Sequence, residues 1–258
     1  MTAQNVTDST HVNVDGIRLE FRCWQGAGLP IILLHEGLGS LSMWRDFPGA
    51  LAAATHRPVI AWSRRGHGGS DRLQTRREPD YMHREAELLL RLMDILRIKR
   101  AVLFGHSDGG SIALIAAALA SNRFCGLILE APHVFVEQLT TDSIAMLRTA
   151  YQTTDIGRKM RRYHCDPDHT FWSWNDIWLD ERFCNWNIEA FLPAITAPAL
   201  LIQGLDDEYG TLEQLGRIEA AVPGTKRLVL PNCGHSPHKD APDAVLEAAS
   251  DFLRSLRC

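Results

Sequence analysis

The chain alternates between short apolar runs and longer segments in which apolar residues recur at helical spacing. Short runs of this kind are typical of strands that are buried on both faces of a sheet. Because helical segments follow most of them, the pattern predicts a mostly parallel sheet with helices covering both faces. The predicted strands are 31–34, 58–62, 101–104, 126–132, 198–204 and 227–230, and the predicted helices are 44–53, 81–96, 111–119, 212–221 and 242–256.

Two segments depart from this alternation. Residues 12–21 alternate apolar and polar positions around an Asp-Gly pair, which predicts a β-hairpin. Residues 137–196 lack buried strands and are richer in charge and tryptophan. We interpret 137–196 as a helical cap, or lid, inserted over the strand ends, so that 1–136 and 197–258 together form the core domain. This segment is called the helical insertion below.

Length and charge narrow the class of protein. The chain has 258 residues, enough for one α/β domain with an insertion. Its net charge of −4 favours neither nucleic acid nor an anionic membrane surface as a partner. Residues 1–10 lack the pattern of a secretion signal, and the longest apolar run, 112–120, is too short to span a bilayer. We therefore expect a cytoplasmic protein with reduced cysteines, and the sequence leaves its oligomeric state open.

One segment superficially resembles a metal-binding cluster. Residues 164–169 read His-Cys-Asp-Pro-Asp-His. The central proline and the lack of a matching second half favour a polar loop instead. We expect no metal and no organic cofactor.

The most informative stretch is 105–110, Gly-His-Ser-Asp-Gly-Gly, which joins a predicted strand to a predicted helix. A serine between glycines at such a junction fits the nucleophile elbow G-x-S-x-G, in which a tight, strained turn exposes the hydroxyl group. The N–H groups that begin the following helix favour developing negative charge. The alternative is an ordinary glycine-rich turn, and the spacing fits neither of the phosphate-binding glycine motifs.

A serine hydroxyl needs a base, and a histidine base needs a carboxylate that fixes its tautomer. Asp206 and Asp207 follow the predicted strand 198–204, and His235 follows the next predicted strand. Both loops fall with Ser107 at the carboxyl-terminal edge of the sheet, where open α/β sheets bind ligands. The alternatives are that Asp207 is a helix cap or turn residue and that His235 is a solvated loop residue.

The order serine, acid, histidine and the motifs around these residues resemble those of the α/β-hydrolase superfamily, in its serine-hydrolase branch. The resemblance covers nearly the whole chain outside the insertion. The resemblance implies an α/β-hydrolase fold in which Ser107 is the nucleophile, His235 the base and Asp207, or failing that Asp206, the orienting acid. The motifs that carry it are His35-Glu36-Gly37, Arg65-Gly66-x-Gly68-x-Ser70-Asp71, the serine elbow, Gly204-x-x-Asp207 and Gly234-His235-x-Pro237.

The resemblance also implies an oxyanion hole made of the backbone N–H groups of Gly37 and Asp108. Glu36 departs from the glycine that is commoner at its position in similar proteins. His35 and His106 are expected to be structural. Serine at position 107 excludes the haloalkane dehalogenases and epoxide hydrolases of this fold, which attack with aspartate.

The side chains of Glu36 and Asp108 add two carboxylates beside the serine. The Ser-Asp-Gly-Gly elbow is similar to that of the valacyclovir-hydrolase group, which acts on amino-acid esters. One hypothesis is that a carboxylate here binds an ammonium group of the substrate. The alternative is that Asp108 pairs with Arg64 or Arg65, or caps the elbow helix.

Tryptophans of the helical insertion are further candidates for substrate binding. Aromatic side chains at the rim of a site can line an apolar pocket, or they can simply hold the insertion together. The candidates are Trp172, Trp174 and Trp178.

The sequence therefore predicts a serine hydrolase that cleaves an ester, or a similar acyl bond, of a small molecule through an acyl-enzyme on Ser107. Two alternatives use the same residues. One is a carbon–carbon bond hydrolase of a dienoic or β-diketone substrate, and the other is a receptor on the same fold that does not turn over.

Overall fold

A single mixed sheet runs through the protein. The computed structural model describes residues 10–256, so the predictions for the segment that precedes residue 10 lie outside the described residues. The strand order is β1-β2-β4-β3-β5-β6-β7-β8; β2 pairs antiparallel with β1 and β4, and the remaining pairs are parallel. The strands are β1 (Thr10–Val14), β2 (Ile17–Trp24), β3 (Ile31–Leu34), β4 (Val59–Trp62), β5 (Ala101–His106), β6 (Phe124–Glu130), β7 (Ala199–Gly204) and β8 (Lys226–Leu230).

Helices cover both faces of this sheet, because side chains that alternate along each strand give it an apolar core on either side. Leu103 of β5 packs on one face, and Val102 and Phe104 pack on the other. α2, α3 and α7 contribute to the first core, and α1 and α9 contribute to the second. The helices are α1 (Phe47–Thr55), α2 (Tyr81–Ile95), α3 (Asp108–Leu119), α4 (Gln138–Thr153), α5 (Ile156–Met160), α6 (Pro167–Trp178), α7 (Leu212–Ala221), α8 (Pro237–Asp240) and α9 (Pro242–Ser255).

The predicted fold class, a mostly parallel and doubly covered α/β sheet, is confirmed. The hairpin is present as well, with Asp15 and Gly16 at its turn in positive-φ conformations. The helix predicted over 44–53 begins later, at Phe47, because Arg45 takes a φ of +51° that interrupts the helical run. No helix between residues 10 and 256 combines the length and the apolar character needed to cross a membrane.

The helical insertion contains α4, α5 and α6 and two short 3₁₀ segments. The expectation of a polar loop over 164–169 was wrong in its second half, since α6 begins at Pro167. Asp166 caps α6 by accepting the N–H of His169 at 3.0 Å, and proline suits the first helical position. His164 accepts the N–H of Gly68 through Nδ1 and donates to a carbonyl oxygen through Nε2, which joins the insertion to the core.

Parallel pairing from β3 to β8 sets the position of the site. The carboxyl ends of these strands share one edge of the sheet, so the loops after β3, β5, β7 and β8 lie together. These loops carry all the candidate residues outside the helical insertion.

Candidate active site

The turn at Ser107 is tight and strained. Ser107 joins β5 to α3 with a φ of +54° and a ψ of −120°, a conformation that residues with a side chain rarely adopt. A β-carbon at Gly105 would lie 2.3 Å from the carbonyl oxygen of Gly109, and one at Gly109 would lie 2.1 Å from that of Leu34. The glycines at these two positions therefore allow the elbow to form.

A hydrogen-bonded chain connects the serine to an acid. The Oγ of Ser107 lies 2.9 Å from Nε2 of His235, whose Nδ1 lies 2.8 Å from Oδ1 of Asp207. Asp207 also accepts the N–H of Tyr209 at 2.9 Å and the amide of Gln203 at 3.1 Å. With Nδ1–H donating to the carboxylate, Nε2 is left to accept the serine proton. The structure thus brings together the three residues predicted first and places Asp207, rather than Asp206, against the histidine.

Charge and burial shift the pKa values of His235 and Asp207 in opposite directions. Burial lowers the pKa of His235, but the hydrogen bond and charge of Asp207 outweigh burial and raise it above its ordinary 6.5. For Asp207, burial alone would raise the pKa. The hydrogen bond to His235 outweighs burial, so the pKa of this carboxyl lies below its ordinary value. At neutral pH the acid is ionised, and its charge raises the pKa of the imidazole, which makes His235 a stronger proton acceptor.

Two backbone N–H groups border the same space. Gly37 follows β3, and Asp108 is the first residue of α3, where helical N–H groups lack partners. Neither N–H donates a hydrogen bond to any other residue in the described range. A β-carbon at Gly37 would lie 2.0 Å from the indole nitrogen of Trp174, so a larger residue would displace the tryptophan.

The side chain of Asp108 makes no ion pair with Arg64 or Arg65, the arginines that the sequence offered as one alternative, within residues 10–256. Its carboxylate is buried and accepts the hydroxyl of Tyr81 at 2.7 Å and the indole N–H of Trp178 at 3.2 Å. Tyr81 begins α2 and Trp178 ends α6, so Asp108 fastens the elbow to the core and to the helical insertion. The sequence could not show this, because it does not reveal which distant hydroxyl and indole groups face the elbow.

Glu36 lies at the rim of the site. One oxygen of its carboxylate is 3.5 Å from Nδ1 of His106, and the other is 3.5 Å from Nζ of Lys239. His106 is fully buried, as expected of a structural residue, and its Nε2 donates to the carbonyl oxygen of His235 at 2.6 Å. The elbow therefore also holds the histidine loop.

A cavity of about 170 Å³ lies over Ser107. Trp174 and Trp178 line it, together with Ile144 and Leu147 of α4. Trp172 does not: it packs edge-on against Phe171 and Tyr151, and the guanidinium of Arg148 lies 5.3 Å above its ring. The prediction that Trp172 belongs to the pocket is corrected, because a two-residue step along α6 turns its side chain away from the cavity.

Sequence reasoning missed several residues of the cavity, since a helix and a loop bring them in from the side. His133 follows β6, and burial lowers its pKa to about 4, so its ring is neutral. Tyr209 stacks at a tilt on the ring of His235. No local motif marks these positions. Other cavity residues that the sequence did not indicate are Leu38, Thr140, Ile144, Leu147 and Glu208.

One buried cluster has the composition of a metal site. His106, Glu130 and His238 offer ligand atoms that lie within 4.8 Å of one another. These groups already bond within the protein, since Nδ1 of His238 lies 2.7 Å from Glu130. The rings of Trp44, Phe47 and His106 pack around His238. Close packing of this kind fits a structural role.

The fold and the site define an α/β hydrolase. The chain belongs to the Alpha/beta hydrolase family, which it matches over residues 31–248. Serine hydrolase BPHL of Homo sapiens is 26% identical over 254 residues, which cover 95% of this chain and 86% of that protein. Esterase YbfF of Escherichia coli is 27% identical over 243 residues, which cover 87% of this chain and 92% of that protein.

A solved structure supports the same fold. The enol-lactonase from Burkholderia xenovorans LB400 superposes with a TM-score of 0.76, at 24% identity, over 95% of this chain and 100% of that one. The resemblance to the superfamily and to the valacyclovir-hydrolase group is thereby confirmed.

The contact of Gly109 with Leu34 gives a direct test of the elbow. We expect Gly109→Ala to destabilise the protein and to abolish labelling of Ser107 by a fluorophosphonate, because the new methyl group has no room beside a backbone carbonyl. Gly216→Ala is the matched control: it lies within α7 in open surroundings and should be neutral or stabilising by about 0.5–1 kcal/mol. Urea unfolding and labelling measure both, and normal labelling of Gly109→Ala would contradict this account.

Proposed function

We propose that this α/β hydrolase is a serine esterase that cleaves short-chain esters of small molecules through an acyl-enzyme. The observation that carries the proposal is the chain from Ser107 through His235 to Asp207 at the floor of a cavity. Its order and geometry match those by which a histidine activates a serine in acyl transfer.

In the proposed first half-reaction, Nε2 of His235 takes the hydroxyl proton as Oγ of Ser107 attacks the ester carbonyl carbon. The carbonyl oxygen becomes an oxyanion, to which the N–H groups of Gly37 and Asp108 donate. The tetrahedral intermediate collapses when His235 gives its proton to the alcohol oxygen, which leaves. Asp207 holds the imidazole in the required tautomer and stabilises its cationic form.

In the second half-reaction, water attacks the acyl-enzyme as His235 removes one of its protons. The new tetrahedral intermediate collapses, and the proton returns to Oγ of Ser107 as the carboxylic acid leaves. The protein's own groups thus supply every proton transfer.

The size of the cavity indicates a small acyl group. A dry cavity of about 150 Å³ is known to hold one benzene molecule, so about 170 Å³ suits an acyl group of similar size. Ile144, Leu147, Trp174 and Trp178 provide apolar walls, which favour hydrocarbon over charged acyl groups.

A chain-length series tests this proposal. With p-nitrophenyl acetate through octanoate, we expect kcat/KM to peak at butyrate or hexanoate and to fall at octanoate, because the longer chain exceeds the cavity. Ser107→Ala should lower kcat by about 10⁶-fold. Turnover of a vinylogous diketone without any ester turnover would contradict the proposal, as would labelling of Ser107 without multiple turnovers, the behaviour of a receptor.

Substrate charge is a second test. Tyr81 and Trp178 already donate hydrogen bonds to the Asp108 carboxylate, and Nζ of Lys239 lies 3.5 Å from that of Glu36. We therefore expect these carboxylates to contribute little to binding an ammonium group of the substrate. An L-alanyl ester and its isobutyryl isostere should differ in kcat/KM by less than about fivefold, the scale of a solvent-exposed charge pair. A preference of 100-fold or more for the alanyl ester would restore these carboxylates as an ammonium site.

The raised pKa of His235 predicts the pH dependence. Only the neutral imidazole accepts the serine proton, so activity should rise with pH through a midpoint above 6.5. Asp207→Asn removes the carboxylate that contributes most to raising this pKa, so the midpoint should move to lower pH while the plateau rate falls about 10⁴-fold.

Asp206→Asn is the control for this variant, because Asp206 is exposed and Nδ1 of His235 bonds to Asp207 instead. Its pH profile should match that of the wild type. An unchanged midpoint in Asp207→Asn, or a shift in Asp206→Asn, would contradict the assignment of the acid.

A further inference from the structure

A buried arginine sits behind the loop that carries Gly37. Arg64 follows β4 and is 1% exposed. Its Nη1 donates to the carbonyl oxygen of His35, and its Nη2 donates to that of Glu36 at 2.8 Å. Within residues 10–256, no carboxylate oxygen comes within 4.0 Å of this guanidinium. Its two terminal nitrogens instead donate hydrogen bonds to two successive carbonyl groups of one loop.

The surroundings of Arg64 compensate its charge at longer range. The negative charges of Asp108 and Glu85 raise its pKa, and the positive charge of Arg77, which is paired with Glu85 at 3.2 Å, opposes them. Burial lowers the pKa of Arg64, yet a guanidinium remains protonated at any working pH. A buried cation without a close carboxylate is costly, and a function at this loop explains why it is there.

His35 completes the arrangement. Its Nε2 accepts the backbone N–H of Arg64 at 3.0 Å, so its proton lies on Nδ1, which donates to the carbonyl oxygen of Glu36 at 2.7 Å. Burial lowers the pKa of His35 well below its ordinary value, so the ring is neutral and the tautomer is fixed. The backbone N–H of Gly39 also donates to this oxygen at 3.0 Å, so the carbonyl oxygen of Glu36 receives three donors, of which only Arg64 is charged.

That carbonyl and the N–H of Gly37 belong to the same planar peptide group. The peptide is trans, so its C=O and N–H point in opposite directions. Three donors hold the oxygen and fix the plane of the peptide, and the N–H of Gly37 points away from the side on which Arg64 donates. A charged donor on the oxygen also polarises the peptide, which makes its N–H a stronger donor.

We propose that Arg64 is a positioning residue for the oxyanion hole: it orients and polarises the Glu36–Gly37 peptide so that the N–H of Gly37 stabilises the tetrahedral intermediate. The inference rests on the proposed function. Arg64 does not contact the substrate, and it acts only when negative charge develops on the carbonyl oxygen. Its removal should therefore affect the transition state and leave substrate binding unchanged.

The test compares Arg64→Gln and Arg64→Lys with the wild type on p-nitrophenyl butyrate. Rates are expressed per site labelled by a fluorophosphonate, so that only folded, active molecules are counted. We expect Arg64→Gln to lower kcat about 10- to 100-fold with KM within about twofold, since a misdirected donor costs no more than a missing one. The kcat of Arg64→Lys should lie between those of Arg64→Gln and the wild type, because an ammonium group can still donate to one carbonyl.

A short alkyl boronic acid provides a readout that a purely structural role would not move. It forms a tetrahedral adduct with the serine, so its inhibition constant should rise by the same factor as kcat falls. Arg65→Met is the matched control, because within residues 10–256 the side chain of the neighbouring Arg65 donates only to the carbonyl oxygen of Arg72, at 3.1 Å. Its kcat and boronate affinity should equal those of the wild type.

Either Arg64 variant with wild-type kcat per labelled site and wild-type boronate affinity would overturn the inference. Arg64→Lys serves this purpose by itself if Arg64→Gln fails to fold. Ester turnover by Ser107→Ala would instead overturn the proposed function, whatever the Arg64 variants show. Loss of turnover in Ser107→Ala together with unaffected Arg64 variants would leave the function standing and remove this inference alone.

Discussion

The close approach of α3 to the end of β3 is the constraint on which the rest of the site depends. Gly109 lies so near the carbonyl oxygen of Leu34 that no side chain fits between them. This contact places the first turn of α3 beside the loop that follows β3, so the N–H groups of Asp108 and Gly37 come to border one cavity. It also holds Ser107 in a backbone conformation that would otherwise be unfavourable by about 1–3 kcal/mol.

Buried charge next to this contact serves geometry more than stability. Asp108 is held by two uncharged donors and Arg64 by two carbonyl oxygens, so neither makes the close ion pair that burial normally demands. Each instead joins elements that are distant in sequence. Asp108 links the elbow to α2 and α6, and Arg64 links the end of β4 to the loop after β3. Hydrogen bonds to charged groups are stronger than neutral ones, which suits them to hold loops in one arrangement.

Much of this architecture could be predicted from the sequence, because the relevant signals are local. Buried strands appear as apolar runs, and the order of the loops then places Ser107, Asp207 and His235 at one edge of the sheet. The partners of charged side chains could not be predicted from such local signals. The sequence left a substrate ammonium group, an arginine and the elbow helix open as partners of Asp108. The structure gives Tyr81 and Trp178, because such contacts depend on how α2 and the helical insertion pack on the elbow. Similar reasoning explains the error at Trp172, whose direction depends on the rotation of α6.

The helical insertion is part of the site rather than an addition above it. Trp174 fills the space where a side chain at position 37 would lie, and Trp178 donates to the residue after the serine. Movement of α6 would therefore change both the wall of the cavity and the packing of the two backbone donors. Under the proposed function, α6 would therefore couple acyl selectivity to stabilisation of the oxyanion. A substitution in α6 that enlarges the cavity would consequently alter the rate on short substrates as well as the range of chain lengths accepted.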